Sequence, residues 1–123
     1  GPFYVYNNTI TNAWAAITRG DTTVYWSADS MVKNNLVYNV AGGGIGYTPT
    51  GSTNGVPNTS NNVATSTNPF QAGTFKLAAP IAGTSVSNVT TVLGPVTDFH
   101  KDPAGVTRGA DGVWDVGAYE YQQ

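Results

Sequence analysis

The sequence predicts an all-β chain in which short parallel strands stack in regular repeats. The main observation is an asparagine pair that recurs at one constant interval, as Asn7-Asn8, Asn34-Asn35 and Asn61-Asn62. A period between about 20 and 50 residues is typical of stacked units, each of which needs a neighbour to bury its apolar face. The second observation is that Thr, Val, Ile, Tyr, Asn and Gly dominate, without sustained apolar spacing of three and four residues. This composition excludes a helical solenoid and favours strands that pair with their equivalents one repeat away.

The residues around each asparagine pair predict a corner between two strands. The first two copies read apolar, any, Asn, Asn, any, apolar, over residues 5–10 and 32–37. Side chains alternate along a strand, so only a bend at the pair sends both flanking apolar residues inward. Asn suits this bend because it enters the left-handed backbone region more readily than other non-glycine residues. We place the corners at Asn8, Asn35 and Asn62 and expect their amides to form a hydrogen-bonded ladder along the stack.

The third copy of the repeat is weaker than the first two. The expected inward stacks are Val5/Val32/Thr59 and Ile10/Val37/Ala64, and polar Thr59 and small Ala64 occupy the third level. We therefore expect the stack to end soon after this copy. The pattern resembles the Ile-x-Asn-Asn-x-Ile consensus of right-handed parallel β-helix proteins in the pectate-lyase-like superfamily. The resemblance implies a right-handed parallel β-helix of about three coils over residues 3–67.

From residue 68 to 123 the period stops, and we interpret this region as a C-terminal cap of the same domain. The words Asn68-Pro69-Phe70 and Trp114-Asp115-Val116-Gly117-Ala118-Tyr119-Glu120-Tyr121 resemble the endings of choice-of-anchor Q proteins, which are secreted or surface β-helix proteins. An uncapped stack exposes strand edges, so the cap is expected to lie over the last coil. Its candidate residues are Asp98, Arg108, Trp114, Asp115, Tyr119 and Glu120.

Composition argues against several partners and sites. A net charge of -2 with 10% charged residues provides no basic face for nucleic acid and no cationic helix for a membrane. The chain has no cysteine and a single histidine, His100, which excludes thiolate and histidine zinc sites. We expect no metal or other cofactor, with Ca²⁺ entering only if the whole protein is a lyase. Gly1-Pro2 is interpreted as a cloning scar, and we expect upstream coils or a second copy to cover the first coil.

The candidate catalytic residues are Arg19, Asp21, Asp29 and Lys33. Polysaccharide lyases of the family that the repeat resembles use acidic Ca²⁺ ligands and a basic residue on the outer wall. Calcium requires six to eight oxygen ligands, however, and two Asp residues separated by eight positions form a poor cage. The favoured interpretation is therefore that these are solvated side chains of turns and surface strands.

Four aromatic residues, Trp14, Tyr25, Trp26 and Tyr47, are the candidate carbohydrate-binding surface. Flat rings pack well against the apolar faces of sugars. Because Tyr25 and Trp26 are adjacent, one of them points outward if the segment is a strand. The alternative is that some of these rings belong to the core.

The leading functional hypothesis is a non-catalytic C-terminal module of a bacterial secreted or surface β-helix protein that ends the solenoid and binds glycan. One alternative is a fragment of a polysaccharide lyase or glycoside hydrolase whose catalytic coils lie upstream. The other is a β-helix module that self-associates. The expected extracellular or cell-surface location and the expected polysaccharide partner follow from the family resemblance.

Overall fold

The computed structural model describes residues 4–18, 30–41, 45–46, 58–83 and 100–122. These residues contain eight short strands and no α-helix, so the prediction of an all-β chain is confirmed. The strands are β1 (Tyr4–Tyr6), β2 (Thr9–Thr11), β3 (Ile17–Thr18), β4 (Met31–Lys33), β5 (Leu36–Tyr38), β6 (Ile45–Gly46), β7 (Asn58–Ser60) and β8 (Val63–Thr65).

The described strands form parallel sheets in which each strand pairs with its equivalent in the next repeat. The first sheet has the order β1-β4-β7, the second β2-β5-β8 and the third β3-β6. In the first sheet Val5 pairs with Val32 and Val32 with Thr59, and the second sheet keeps the same step along the sequence. In the third sheet Ile17 pairs with Ile45, which is one position further along. The predicted parallel pairing is thus confirmed, with one additional residue in the second repeat.

The first asparagine of each pair bends the backbone. Asn7, Asn34 and Asn61 have φ angles of 49°, 57° and 52°, in the left-handed region that Asn tolerates. The bend therefore lies one residue before the predicted corner positions. A second bend in each of the first two repeats uses Asn12 and Asn39, both with φ 53°.

The second asparagine of each pair forms the side-chain ladder. The Nδ2 group of Asn8 donates to Oδ1 of Asn35 at 2.9 Å, and Nδ2 of Asn35 donates to Oδ1 of Asn62 at 2.9 Å. The backbone N–H of Asn8 donates to the same Oδ1 of Asn35, at 3.0 Å, and the N–H of Asn35 donates to Oδ1 of Asn62 at 3.1 Å. One asparagine of each pair thus fits the backbone conformation and the other joins neighbouring repeats.

Burial is greatest in the middle repeat because it has a neighbour on each side. Val32 and Val37, which flank the second asparagine pair, are 0% and 1% exposed. Their equivalents Val5 and Ile10 in the first repeat are half-buried, and Ala64 in the third is exposed. The apolar stack therefore weakens toward the third copy.

A second apolar cluster joins the repeats to the C-terminal segment, which we define as residues 66–83 and 100–122. Its buried members are Leu36 of β5 with Leu77 and Val116 of the C-terminal segment. Leu36 neighbours Val37 along β5 and faces the opposite side of the sheet, as strand alternation requires. Partly buried apolar residues packed against these three are Val63, Phe70, Ile81 and Tyr121. The second sheet is thus covered by the C-terminal segment on the side that carries Leu36.

The C-terminal segment lies along the side of the stack. The Nε1 group of Trp114 donates to Oδ1 of Asn7 at 3.2 Å, and the N–H of Ala118 donates to Oγ1 of Thr9 at 2.8 Å. Both acceptors belong to the first repeat. This position differs from the predicted one over the last coil, because Trp114 and Ala118 hydrogen-bond to polar groups of the first repeat.

Gly117 allows this close approach to the second sheet. Its φ of 94° favours glycine, and a Cβ atom there would lie 2.8 Å from Oγ1 of Thr9 and 3.1 Å from Cβ of Leu36. The Gly117 N–H donates to the backbone oxygen of Asn34 at 2.7 Å. The segment thus reaches the backbone of the second repeat directly.

Candidate functional site

The first sheet carries two aromatic rings on the face opposite Val5 and Val32. Tyr4 and Tyr6 alternate with Val5 along β1, and their rings are stacked with centroids 5.9 Å apart and planes at 24°. On the neighbouring strand, Met31 pairs with Tyr4 and Lys33 pairs with Tyr6. All four residues are half-buried, so part of each remains accessible. We call this surface, formed by Tyr4, Tyr6, Met31 and Lys33, the tyrosine face.

The hydroxyl of Tyr6 is a fixed donor within this face. It donates to Sδ of Met31 at 3.0 Å. Burial, and to a lesser degree the nearby Tyr4, raises the pKa of Tyr6 to about 12. The phenol therefore remains protonated at neutral pH. The tyrosine face combines two nearly parallel rings with the side chain of Lys33, which suits a ligand with an apolar face and hydroxyl or anionic groups.

The tyrosine face was missed in the sequence, although a signal was present. If Val5 points inward, then Tyr4 and Tyr6 must point to the other side of the strand. The period of the asparagine pairs then places Met31 and Lys33 beside them.

Of the four predicted carbohydrate-binding residues, the structure describes Trp14. This side chain is 79% exposed and follows the bend at Asn12, between β2 and β3. Tyr25, Trp26 and Tyr47 lie outside the described residues. Trp14 is therefore an accessible ring on the same repeat as Tyr4 and Tyr6.

Of the four predicted catalytic residues, the structure describes Lys33, which belongs to the tyrosine face. Its strand neighbours across the sheet are Tyr6 and Ser60. Arg19, Asp21 and Asp29, and also the predicted cap residue Asp98, lie outside the described residues.

A buried ion pair organises the C-terminal segment. The Nη1 group of Arg108 lies 3.0 Å from Oε1 of Glu120, and both side chains are about 5% exposed. The backbone N–H of Gly109 donates to Oε2 of Glu120 at 3.1 Å. Burial raises the pKa of Glu120, and the amides of Gly109 and Asp115 and the charge of Arg108 oppose that rise. The arrangement joins residues 108–109 to Glu120 near the end of the segment.

Two further buried carboxylates accept backbone amides. Asp115 receives the N–H groups of Ile81 and Tyr121 at 2.8 Å and 2.9 Å. Asp102 receives the N–H group of Ala104 at 2.8 Å. Because backbone donors satisfy these oxygens, the carboxylates serve the fold. The predicted residues Arg108, Asp115 and Glu120 thus meet in one network, and Asp102 is a member that the sequence did not indicate.

Tyr119 is half-buried, outside the set of contacts that defines this network. Among the described residues, no group of three or more His, Asp or Glu side chains could hold a metal ion.

A second exposed ring lies on the C-terminal segment. Phe75 is 58% exposed and packs edge-on against Phe70, with centroids 5.7 Å apart. Phe70 in turn packs edge-on against Tyr38 of β5 at 5.8 Å. Phe75 therefore covers Phe70 on one side and is an exposed aromatic side chain that lies outside the tyrosine face.

The sequence has no significant match to a family model, a curated protein or a solved structure. In the part of the chain that the structure describes, no helix has the length and apolar character that crossing a membrane requires.

Proposed function

We propose that the chain is a non-catalytic C-terminal module of a bacterial secreted or surface protein, folded as a right-handed parallel β-helix, which ends the solenoid and binds glycan. The observation that carries the proposal is that paired strands in the first two sheets are separated by the same number of residues. The asparagine ladder joins the chain at the same interval. Stacked repeats of this kind form long surfaces that suit extended polymers.

Handedness follows from a general rule of parallel sheets. Strands β1, β4 and β7 are neighbours in one sheet and are reached by successive crossover connections. Such parallel crossovers are right-handed in about 98% of cases. Each of these connections also contains one strand of the second sheet, namely β2 or β5. This order supports a coiled chain with one sheet on each successive face.

The role in ending the solenoid is supported by the aperiodic C-terminal segment. Arg108, Glu120 and Asp115 are buried there, and their side-chain hydrogen bonds are made within the segment. These contacts do not recur at the step of the asparagine pairs. A segment without the repeat provides no template for another level after β7 and β8, so the stack can end where the segment begins even though the segment lies along its side.

Glycan binding is assigned to the tyrosine face together with Trp14. Tyr4 and Tyr6 form a nearly parallel pair of rings that can pack on sugar C–H groups. Lys33 on the adjacent strand can donate to hydroxyl or carboxylate oxygens. Trp14, with 79% of its surface exposed, adds a further ring on the same repeat.

Binding is tested with soluble polysaccharides, neutral and acidic, in affinity electrophoresis and titration calorimetry. Loss of one ring, in Tyr4→Ala or Trp14→Ala, should weaken binding by about fivefold. Phe75→Ala removes an exposed ring from the C-terminal segment and should leave affinity unchanged. Equal affinity of the wild-type chain and a Tyr4→Ala/Trp14→Ala double variant would contradict the assignment.

The non-catalytic role is supported by the described carboxylates. Asp102, Asp115 and Glu120 are buried, and exposed Asp111 accepts the N–H of Val113 at 2.9 Å. Asp111 and Glu120 both line one cleft of the C-terminal segment, but Glu120 is buried and paired with Arg108, so this pair does not present the two available carboxyl groups that glycoside hydrolysis requires. The chain should therefore not degrade pectin, alginate or related polymers with or without Ca²⁺. Turnover that is lost in Asp21→Asn or Lys33→Ala would favour the lyase or hydrolase alternative.

A further inference from the structure

The contacts between repeats follow one rule along the asparagine ladder. At each joint, Oδ1 of the lower asparagine accepts both the backbone N–H and the Nδ2 group of the upper one. The lower asparagine also donates its Nδ2 group to the preceding repeat, as Asn35 does to the oxygen of Val5 at 3.0 Å. Asn62 repeats this bond with the oxygen of Val32 at 2.8 Å. The groups that join two repeats are therefore known atom by atom.

The first rung of the ladder has its receiving side open. Asn8 is exposed, and its Oδ1 accepts no hydrogen bond from the described part of the chain. Its Nδ2 group bonds downward to Asn35 and locally to the oxygen of Tyr6, at 3.0 Å. Asn35 and Asn62, by contrast, each receive two donors at Oδ1. Asn8 thus makes the same downward contacts as Asn35, but no described residue donates to its Oδ1 from above.

The strands on either side of Asn8 are open in the same direction. β1 and β2 are the outer strands of the first two sheets, and each has a described partner strand on one side. Among the described strands, the other edges of β1 and β2 are unpaired, and these edges flank Oδ1 of Asn8. Unpaired strand edges are sites where an extended segment adds a strand through main-chain hydrogen bonds.

We propose that Asn8 and the free edges of β1 and β2 bind a parallel strand–Asn–Asn–strand segment, whose second asparagine donates to Oδ1 of Asn8. This inference rests on the proposed function, because it specifies the partner that continues the solenoid. The asparagine requirement follows from the ladder rule, since both donors to Oδ1 come from the asparagine one level above. An edge-to-edge contact in antiparallel orientation would not place a corner amide over Asn8.

The test uses the full chain and a synthetic peptide with the sequence of residues 28–41, which contains β4, the second asparagine pair and β5. Titration is followed by amide NMR. Saturable changes are expected at the N–H groups of residues 4–11 and at the side-chain amide of Asn8. Replacing the second asparagine of the peptide pair by Ala should weaken binding about fivefold, as expected for loss of one or two exposed hydrogen bonds.

Two variants of the chain separate the ladder contact from a general effect. Asn8→Ala removes the receiving oxygen and should weaken peptide binding about fivefold. Asn68→Ala removes another exposed asparagine, which accepts the N–H of Phe70 at 3.0 Å in the C-terminal segment, and should leave binding unchanged. A thermal unfolding curve for each variant verifies that it is folded.

Several results would overturn the proposal. These are an absence of NMR changes at millimolar peptide, changes confined to β7 and β8, or equal binding by the wild-type and alanine peptides. If light scattering shows that the free chain dimerises, the peptide should dissociate the dimer; a dimer that survives saturation with peptide also contradicts the proposal. Glycan affinity is measured separately at the tyrosine face, so failure of peptide binding is distinguishable from failure of the proposed function.

Discussion

In the described repeats, within residues 4–65, the main contacts recur one step along the stack, whereas in the C-terminal segment each contact occurs once. The bond from Asn8 to Asn35 is repeated from Asn35 to Asn62. The pair of Arg108 and Glu120 has no second copy among the described residues. The buried polar groups of the described repeats are neutral, whereas those of the C-terminal segment are mainly charged.

This difference implies two responses to damage. A repeat that loses one contact keeps equivalent contacts above or below it, so the loss stays local. In the C-terminal segment, one side chain often serves several positions at once. Glu120 accepts from Arg108, Gly109 and Asp115, so its removal frees groups throughout the segment.

The largest effect is expected from Arg108→Met. This change leaves Glu120 buried without its ion pair, which should lower the free energy of unfolding by about 3–5 kcal/mol. Urea denaturation followed by circular dichroism measures the loss. Lys101→Met, which replaces an exposed cation in the same segment, should change stability by less than about 0.5 kcal/mol.

The double variant Arg108→Met/Glu120→Gln keeps this prediction testable if Arg108→Met does not fold, because the Gln side-chain oxygen can still accept the N–H groups of Gly109 and Asp115. Removing both charges should recover part of the lost stability, because the uncompensated buried carboxylate is gone. The Nε group of Arg108 is buried without a hydrogen-bond partner among the described residues. Replacing Arg108 by Met therefore breaks no hydrogen bond at that atom. A double variant less stable than Arg108→Met would contradict this account.

A smaller but still substantial loss is expected from Gly117→Ala. The new Cβ would meet Thr9 and Leu36 and would hold an unfavourable positive φ, which together should cost about 2–4 kcal/mol. Gly105→Ala is the matched control, because φ there is 85° and no atom lies within 4 Å of the added Cβ. Gly105→Ala should therefore show the backbone cost alone, about 1 kcal/mol. Equal losses in the two variants would show that the approach to Leu36 is not constrained.

In the repeats, Asn35→Ala should cost more than Asn8→Ala. Asn35 is fully buried and bonds to both neighbouring levels, so its loss should cost about 2 kcal/mol. Asn8 is exposed and bonds to one neighbouring level and to its own strand, so its loss should cost about 0.5–1 kcal/mol. Denaturant unfolding measures both. Equal costs would mean that the ladder does not depend on the position of the rung.

The sequence was most informative where one residue type satisfies a local backbone requirement and then recurs. The asparagine pairs predicted parallel pairing at their own interval, and Val5, Val32 and Thr59 pair in that register. The pairs did not show which asparagine takes the positive φ. Both positions accept Asn, and only the backbone geometry separates Asn7 from Asn8.

The position of the C-terminal segment could not be read from the sequence in the same way. Its apolar residues Leu77 and Val116 fit either the end or the side of a stack. The segment lies along the side because Leu36 points outward from β5 and provides an apolar surface there. Hydrogen bonds with Asn7 and Thr9, which the repeat does not predict, hold the segment in the same position. The tyrosine face followed from simple alternation, so its partners were predictable, whereas the 5.9 Å ring stacking required the structure.

The smallest effect concerns pH and tests whether burial controls the charge of Glu120. Burial raises the pKa of Glu120 above its ordinary value of 4.5. At a pH between the unfolded pKa and the raised folded pKa of Glu120, the folded chain binds more protons than the unfolded chain. Glu120 therefore makes the free energy of unfolding fall as pH rises through that interval. The contribution of Glu120 to the free energy of unfolding is complete below its unfolded pKa and is lost above its folded pKa. Urea unfolding measured from pH 4 upward should show this decline in the wild type and a shallower one in Glu120→Gln, whereas Asp111→Asn, at an exposed carboxyl, should retain it. A decline that is unchanged in Glu120→Gln would assign the pH dependence to other groups and would leave the ion pair with Arg108, rather than burial, as the main influence on this carboxyl.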